Sequence, residues 1–252
     1  MGRTKIAVQL YCARDDYMKD MPGTLRKLSA IGYEAVEFFG PALFTAEETV
    51  KALADCNLEF AGWHTPWEYV QDDCINLWIA YCKAVGNRYV IVPGLPEKCT
   101  ATISAWRETA ALFNRIAAKL AKEGMYTGYH NHWTEFLPKD GELPWDAFFA
   151  ATDPGVIAQY DIGNSLHGGT GIDAMAYHKK YIGRGKTIHA KADPNAKKDM
   201  AAIGEDGINW AEYVSEIKKA GVTEYCIVEW EHQGPAMYEN LEICYNTLKN
   251  LF

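Results

Sequence analysis

Gly128-Tyr129-His130-Asn131-His132-Trp133-Thr134-Glu135-Phe136 sets two imidazoles and a carboxylate at the end of one short apolar run. Three later runs close in the same way: Val156 to Asp161, Lys186 to His189 and Tyr225 to Glu229. Strand-like segments that each end in an imidazole or a carboxylate are what a divalent cation requires, provided the fold gathers their ends.

Working outward from that stretch, short β-branched or aromatic runs alternate with longer segments of helical period, and Gly, Pro or Asp marks the joins. The runs predict strands at Ile6 to Tyr11, Ala35 to Phe38, Leu58 to His64, Arg88 to Val92, Tyr126 to His130, Val156 to Asp161, Lys186 to Ala190 and Tyr225 to Trp230. A helix is predicted after each, the longest over Thr102 to Lys122, where Trp106, Leu112, Phe113, Ile116 and Leu120 fall near one stripe. Thr45, followed by Glu47 and Glu48, marks a capped helix start. Eight strand-helix units in 252 residues predict an α/β chain closed into a (β/α)8 TIM barrel, one domain over residues 1–252. A doubly wound sheet is the other arrangement, but the chain has no Gly-x-Gly-x-x-Gly fingerprint. Barrels of this kind carry their functional groups at the C-terminal strand ends. Glu37, His64, His130, His132, Asp161, His189 and Glu229 are therefore expected at one mouth.

Composition narrows the partners. Apolar content of 48% with 23% charged residues is that of an ordinary globular chain. A net charge of -8 and the lack of a basic stripe argue against a nucleic-acid partner. No apolar run approaches the roughly 20 residues of a membrane span. The seven Cys are scattered without a Cys-x-x-Cys pair, and an odd number cannot pair fully within one chain. Free thiols and a start without an apolar leader lead us to expect a cytoplasmic protein.

Asp161, His189 and Glu229 offer two carboxylates and an imidazole from three strands, a set suited to one divalent ion: manganese, magnesium, cobalt or zinc. Asp161, just before Gly163 and Asn164, also reads as a cap for the following helix. For a fourth ligand His130 is favoured and His132 is next. The two share a face if the strand continues through both, in which case the pair could instead anchor a substrate.

The ordered set Tyr-His-Asn-His-x-x-Glu-Phe, Tyr-Asp-Ile-Gly, Ile-His-x-Lys, Gly-Glu-Asp-Gly-Ile-Asn-Trp and Val-Glu-Trp, spread over nearly the whole chain, resembles the xylose isomerase-like TIM barrels of the sugar phosphate isomerase/epimerase superfamily. That superfamily includes ketose 3-epimerases, hydroxypyruvate isomerase, inosose dehydratase and endonuclease IV-type enzymes, so the resemblance implies a fold more firmly than a substrate. In the epimerase relatives one divalent ion is held by Glu, Asp, His and Glu from strands five to eight, and the two Glu serve as acid and base. Asp161, His189 and Glu229 match the last three. His130 stands where the first Glu is usual, and an imidazole ligand does not replace a carboxylate base.

The resemblance implies a divalent-metal-dependent sugar isomerase or epimerase acting through an enediolate on a keto-sugar or related polyol. The rival is a lyase or dehydratase that eliminates water or an alcohol from a keto-sugar, keto-glycoside or keto-inositol. Glu229 is the first candidate base, with His132, Glu135 and His64 as acid or base from the other side. Glu135 could instead back the strand-five imidazoles. Glu37 reads as a hydroxyl binder or a structural ion pair, and Lys191 as a group that polarises a carbonyl or as an exposed loop lysine. Trp63, Trp67, Trp133 and Trp230 offer flat faces for a sugar ring, or else pack the barrel. Without a Gly-rich phosphate cradle, an unphosphorylated sugar is expected. His167 and His232 fall near the rim without a role, and His178 reads as part of a solvated helix. DNA repair conflicts with the acidic charge, and a catalytically silent sugar-binding barrel is the non-enzymatic alternative. Assembly into a dimer or tetramer is what the relatives imply.

Overall fold

The computed structural model describes residues 2–252. Its strands are β1 (Lys5–Gln9), β2 (Ala35–Phe39), β3 (Glu59–His64), β4 (Tyr89–Val92), β5 (Tyr126–His130), β6 (Ile157–Gln159), β7 (Thr187–Ala190) and β8 (Tyr225–Val228). They form one parallel sheet in the order β6-β5-β4-β3-β2-β1-β8-β7. Its two ends meet where the His189 amide donates to the Tyr160 carbonyl at 3.0 Å and Asp161 bridges His189 in parallel. The fold is the expected (β/α)8 barrel.

The helices are α1 (Arg14–Lys19), α2 (Met21–Ile31), α3 (Ala46–Asp55), α4 (Ile75–Val85), α5 (Ile103–Ala121), α6 (Pro144–Ala151), α7 (Ile162–Leu166), α8 (Ala174–Tyr181), α9 (Trp210–Ala220) and α10 (Met237–Leu251). Their starts follow local chemistry. Thr45 and Glu48 form a reciprocal capping box at α3, Thr102 accepts the Ala105 amide at α5, and Asn209 accepts the Glu212 amide at α9. Among the described residues no helix is long and apolar enough to cross a membrane.

Several predicted strands run past their observed ends. β1 stops at Gln9, short of Tyr11, because the Gln9 side chain accepts the Tyr11 amide and turns Leu10–Ala13 into a 3-10 segment leading into α1. β6 stops at Gln159 and β8 at Val228, so Asp161 and Glu229 sit just beyond their strands. Glu229 directly follows paired Val228, and Asp161, two residues past Gln159, is held by its own bridge to His189, which keeps both side chains at the mouth.

The main core lies between barrel and helices, where Val8, Val36, Phe38, Val90, Tyr129 and Ile188 join Leu25, Phe113, Phe148, Ile217 and Leu248. Inside the barrel, Ala7, Ala35, Ala61 and Ile227 form one small cluster, and Tyr89, Ile91 and Ile157 another. Two residues further along those strands the interior turns polar. Gln9 follows Ala7, Glu37 follows Ala35, Gln159 follows Ile157 and Glu229 follows Ile227, all of them buried. The period-two alternation of a strand puts each pair on the same face. A polar layer in a barrel interior is costly unless its groups satisfy one another, which draws attention to this end.

Candidate metal centre at the barrel mouth

The polar layer is closely bonded. Glu37 Oε2 accepts from Gln9 Nε2 and pairs with His189 Nε2, each at 2.7 Å, and lies 3.1 Å from His64 Nε2. Glu37 Oε1 accepts from Gln159 Nε2 at 2.8 Å, while Gln159 Oε1 meets His64 Nε2 at 2.7 Å. Room for this carboxylate comes from Gly62 on β3, where a Cβ would come within 3.0 Å of Glu37 Oε1. The β2–β3 register shifts between Val36 and Glu37 at the same level.

Above this layer the candidate ligands converge. His130, Asp161, His189 and Glu229 are all buried, and each offers a ligating atom within 4.8 Å of the others. His64, His130 and His189 form an overlapping set. His189 Nδ1 lies 2.7 Å from Glu229 Oε2 and 3.8 Å from Asp161 Oδ2. Asp161 has two roles: Oδ1 accepts the Asn164 amide at 2.7 Å and caps α7, whereas Oδ2 is buried without a hydrogen-bond partner. His130 Nδ1 is likewise unpartnered. The Asp161 backbone is fixed by Asn131, whose side chain accepts its amide at 2.8 Å and donates to its carbonyl at 3.0 Å. Gly163 allows the turn after Asp161 to lie against the β7 exit, where a Cβ would meet the Lys191 and Ala192 carbonyls at 2.6 Å.

Electrostatics at this point are unbalanced. Burial raises the Asp161 carboxyl, and the neighbouring Glu229 raises it further. Burial also acts on Glu229, but Lys191 and His189 outweigh it and hold that carboxyl well below its ordinary range. Lys191 Nζ donates to Glu229 Oε1 at 3.0 Å and pairs with Glu231 at 3.2 Å. Burial disfavours charge on His189, yet Glu37 and Glu229 raise its pKa to about 10. His130 is driven well below the ordinary imidazole range by burial and by His189 and His64. An unpartnered carboxylate oxygen costs about 1–3 kcal/mol or more, and a cation would supply its missing partner. Two imidazoles and two carboxylates converging on one spot, with Asp161 Oδ2 free, fit a divalent metal and are able to hold one.

Other predicted residues fall elsewhere. Trp63 is 1% exposed and stacks on Phe38, with its Nε1 donating to the Gly40 carbonyl. It cannot offer a face to a substrate, because it alternates with His64 and so points away from the barrel interior. Trp230 faces away from Glu229 for the same reason and is 4% exposed, although it lines a neighbouring cavity. Glu37, expected at a substrate hydroxyl, is fully buried with both oxygens engaged, so the ion-pair reading describes its surroundings. Glu135 is also not at the mouth: it accepts from Tyr129 OH at 2.8 Å and from the His132 amide at 2.9 Å. It supports the strand-five loop through the backbone of His132 and not through an imidazole. His178 is 1% exposed and stacks on Tyr213, contrary to a solvated position.

His64, His130, His132 and Glu229 line a cavity of about 330 Å3 together with Tyr11 and Phe39. β5 ends at His130, and His132 continues into the loop as an exposed residue. Trp133 is 37% exposed and stacks on His167. Lys191 reaches Glu229 and is largely buried. Sequence reading missed Gln9, Gln159 and Glu231. The period-two steps from Ala7 to Gln9, Ile157 to Gln159 and Glu229 to Glu231 carried the signal.

Residues 25–247 match the family model described as xylose isomerase-like TIM barrel. No curated protein matches the sequence. Among solved structures, a sugar phosphate isomerase/epimerase from Parabacteroides distasonis is 21% identical, with a TM-score of 0.77 over 98% of this chain and 94% of that one. A D-allulose 3-epimerase from Methylomonas sp. is 12% identical, with a TM-score of 0.72 over 100% and 99%. An AP endonuclease, family 2, from Brucella melitensis is 18% identical, with a TM-score of 0.68 over 95% and 97%. Identities this low establish a common fold and leave the chemistry to the site.

Proposed function

Since the chain belongs to the xylose isomerase-like TIM-barrel family, we propose that it is a divalent-metal-dependent isomerase or epimerase of a keto-sugar or related polyol. The observation that carries this reading is the convergence of His130, Asp161, His189 and Glu229 around a carboxylate oxygen without a partner. These four residues would hold the ion. When bound, a divalent ion supplies Lewis acidity, which acidifies the C–H beside a carbonyl and stabilises the enediolate left by proton loss.

The chain's own groups do the rest. Glu37 takes the His189 Nε2 position and leaves Nδ1 facing Asp161 and Glu229, so the imidazole is oriented from behind. Lys191 fixes Oε1 of Glu229, the base of this proposal, and keeps a positive charge beside that carboxylate. His132 and His64 line the same cavity and would return or receive the proton in this reading. Trp133 offers an exposed face at the rim.

Elimination from a keto-sugar is the second reading. It is favoured by His130 in the position where the epimerase relatives carry their other carboxylate. One experiment addresses both: manganese-loaded protein is incubated with a panel of ketoses in deuterated water and followed by NMR and ultraviolet absorbance. Deuterium at the carbon beside the carbonyl, lost on chelation, is the result expected of the isomerase or epimerase. An absorbing unsaturated carbonyl would shift the assignment to a lyase. Loaded protein that gives neither signal across the panel overturns the proposal.

A further inference from the structure

Beside the 330 Å3 cavity lies a second of about 200 Å3, and the two share Glu229 and Glu231 as a common wall. The first is within the lower range of small-molecule sites and holds the polar groups proposed above for the reaction. The second contains none of the three histidines that line the first; its histidines are His167 and His232, for which the reaction has no use. Its wall includes Trp230, whose ring lies 4.9 Å from that of His232 and whose Nε1 is buried without an acceptor.

The charges here favour a neutral ligand. Lys191 is engaged by Glu229 and Glu231, and Lys198 by Glu205, so both ammonium groups on this wall are already paired. Asp193 and Asp199 add negative charge to the wall. A phosphate would meet these carboxylates with no unpaired ammonium to receive it, and phosphate recognition depends on such donors. A ring bearing hydroxyls is better suited, because it can donate to carboxylates, bond the His167 and His232 imidazoles and lay C–H surface on them.

We propose that the substrate has two sugar rings, the reacting keto-ring in the His64–His130–His132 cavity and a second, uncharged ring in the Trp230–His232 cavity, joined across Glu229 and Glu231. This inference rests on the proposed sugar chemistry and narrows its substrate class. The second ring contributes binding energy remote from the reacting carbon, which raises kcat/KM when it aligns that carbon.

The test uses manganese-loaded protein with fructose, fructose 6-phosphate and three disaccharides that carry glucose on fructose, namely turanose, maltulose and isomaltulose. Solvent deuterium incorporation gives kcat/KM and calorimetry gives affinity. At least one disaccharide is expected to exceed fructose and fructose 6-phosphate by about tenfold, roughly the effect of one well-packed ring face. The disaccharide-to-fructose ratio is expected to collapse toward one in His232→Ala and in Ala196→Trp, which fills the cavity. Disaccharides that neither react nor bind better than fructose, or a preference unchanged in both variants, overturn the two-ring inference while leaving the metal-dependent reading intact. Superiority of fructose 6-phosphate overturns it in favour of an anion site. If nothing exchanges deuterium and no unsaturated carbonyl forms, the sugar-chemistry reading fails, and the calorimetric ratio decides the second ring separately.

Discussion

Glu37 illustrates how one side chain can govern a site that it does not enter. Its carboxylate is fully buried, receives Gln9 and Gln159, and pairs with His189 Nε2 at 2.7 Å. Burial pushes its pKa upward, but His64 and His189 together outweigh that cost and keep it below the ordinary value. The consequence is an imidazole presented through Nδ1, the nitrogen nearest Asp161 and Glu229. Outer carboxylates of this kind typically contribute 10–100-fold to metal affinity. Glu37→Gln keeps the shape and removes the charge, so manganese affinity measured by calorimetry is expected to fall by about that factor. Equal affinity in the two proteins would show that Glu37 is only a filler of the barrel. Asp161, by contrast, uses one oxygen for the α7 cap and leaves the other without a partner. Both uses expected of this aspartate in the sequence are therefore compatible in one side chain.

Among the secondary-structure elements, α8 carries an internal pH dependence. His178 packs on Tyr213 of α9 with ring centroids 4.1 Å apart, and its Nε2 donates to the Tyr213 carbonyl at 3.1 Å. Burial, opposed only in part by that bond and by Glu216, lowers its pKa to about 4 from an ordinary 6.5. The folded protein therefore binds this proton less readily than the unfolded chain, and stability falls with acidification between pH 6.5 and 4. The slope from this one group is roughly 1.4 kcal/mol per pH unit, about 3 kcal/mol across the window. Urea unfolding of the wild type and His178→Gln from pH 7.5 to 4 is expected to show a shallower acid loss in the variant; parallel curves would remove His178 as the cause. The helix itself was legible, but not this burial, because Lys179 and Lys180 next to His178 give the segment a solvated look. The same limit applies at the strands. Repeating strand-helix units revealed the barrel, and the residues named for metal binding converge at one end of it. Assigning sides required a fixed parity, however. Once His64 and Glu229 face inward, Trp63 and Trp230 must face outward, and Gln9 and Gln159 must join the inner layer. Glu135 was hidden for another reason: its partners are a tyrosine hydroxyl and a backbone amide in a turn that periodicity does not describe.

For the whole molecule, the candidate metal centre coincides with the weakest join in the barrel. Seven of the eight neighbouring strand pairs are joined by ladders, with one register shift in β2–β3, whereas β6 and β7 meet through the isolated Asp161–His189 bridge and the His189 amide bond to Tyr160. The four proposed ligands come from β5 and β7 and from the residues just past β6 and β8, so an ion held by them would tie together both sides of this seam. Binding to the folded state alone stabilises it by about 2.7 kcal/mol at a hundredfold excess over Kd. For a chain of this size that corresponds to a rise in Tm of roughly 5–10 °C. Scans at one fixed rate are expected to show this rise with manganese and its reversal by chelator, and the Asp161→Asn variant is expected to show little of it. Location separates a seam effect from general stabilisation. In amide hydrogen exchange the largest gain in protection on metal addition should fall at His189 and its neighbours on β7, while the β2–β3 ladder on the far side of the barrel changes least. Uniform protection around the barrel would mean that the ion, even if bound, does not act by closing this join.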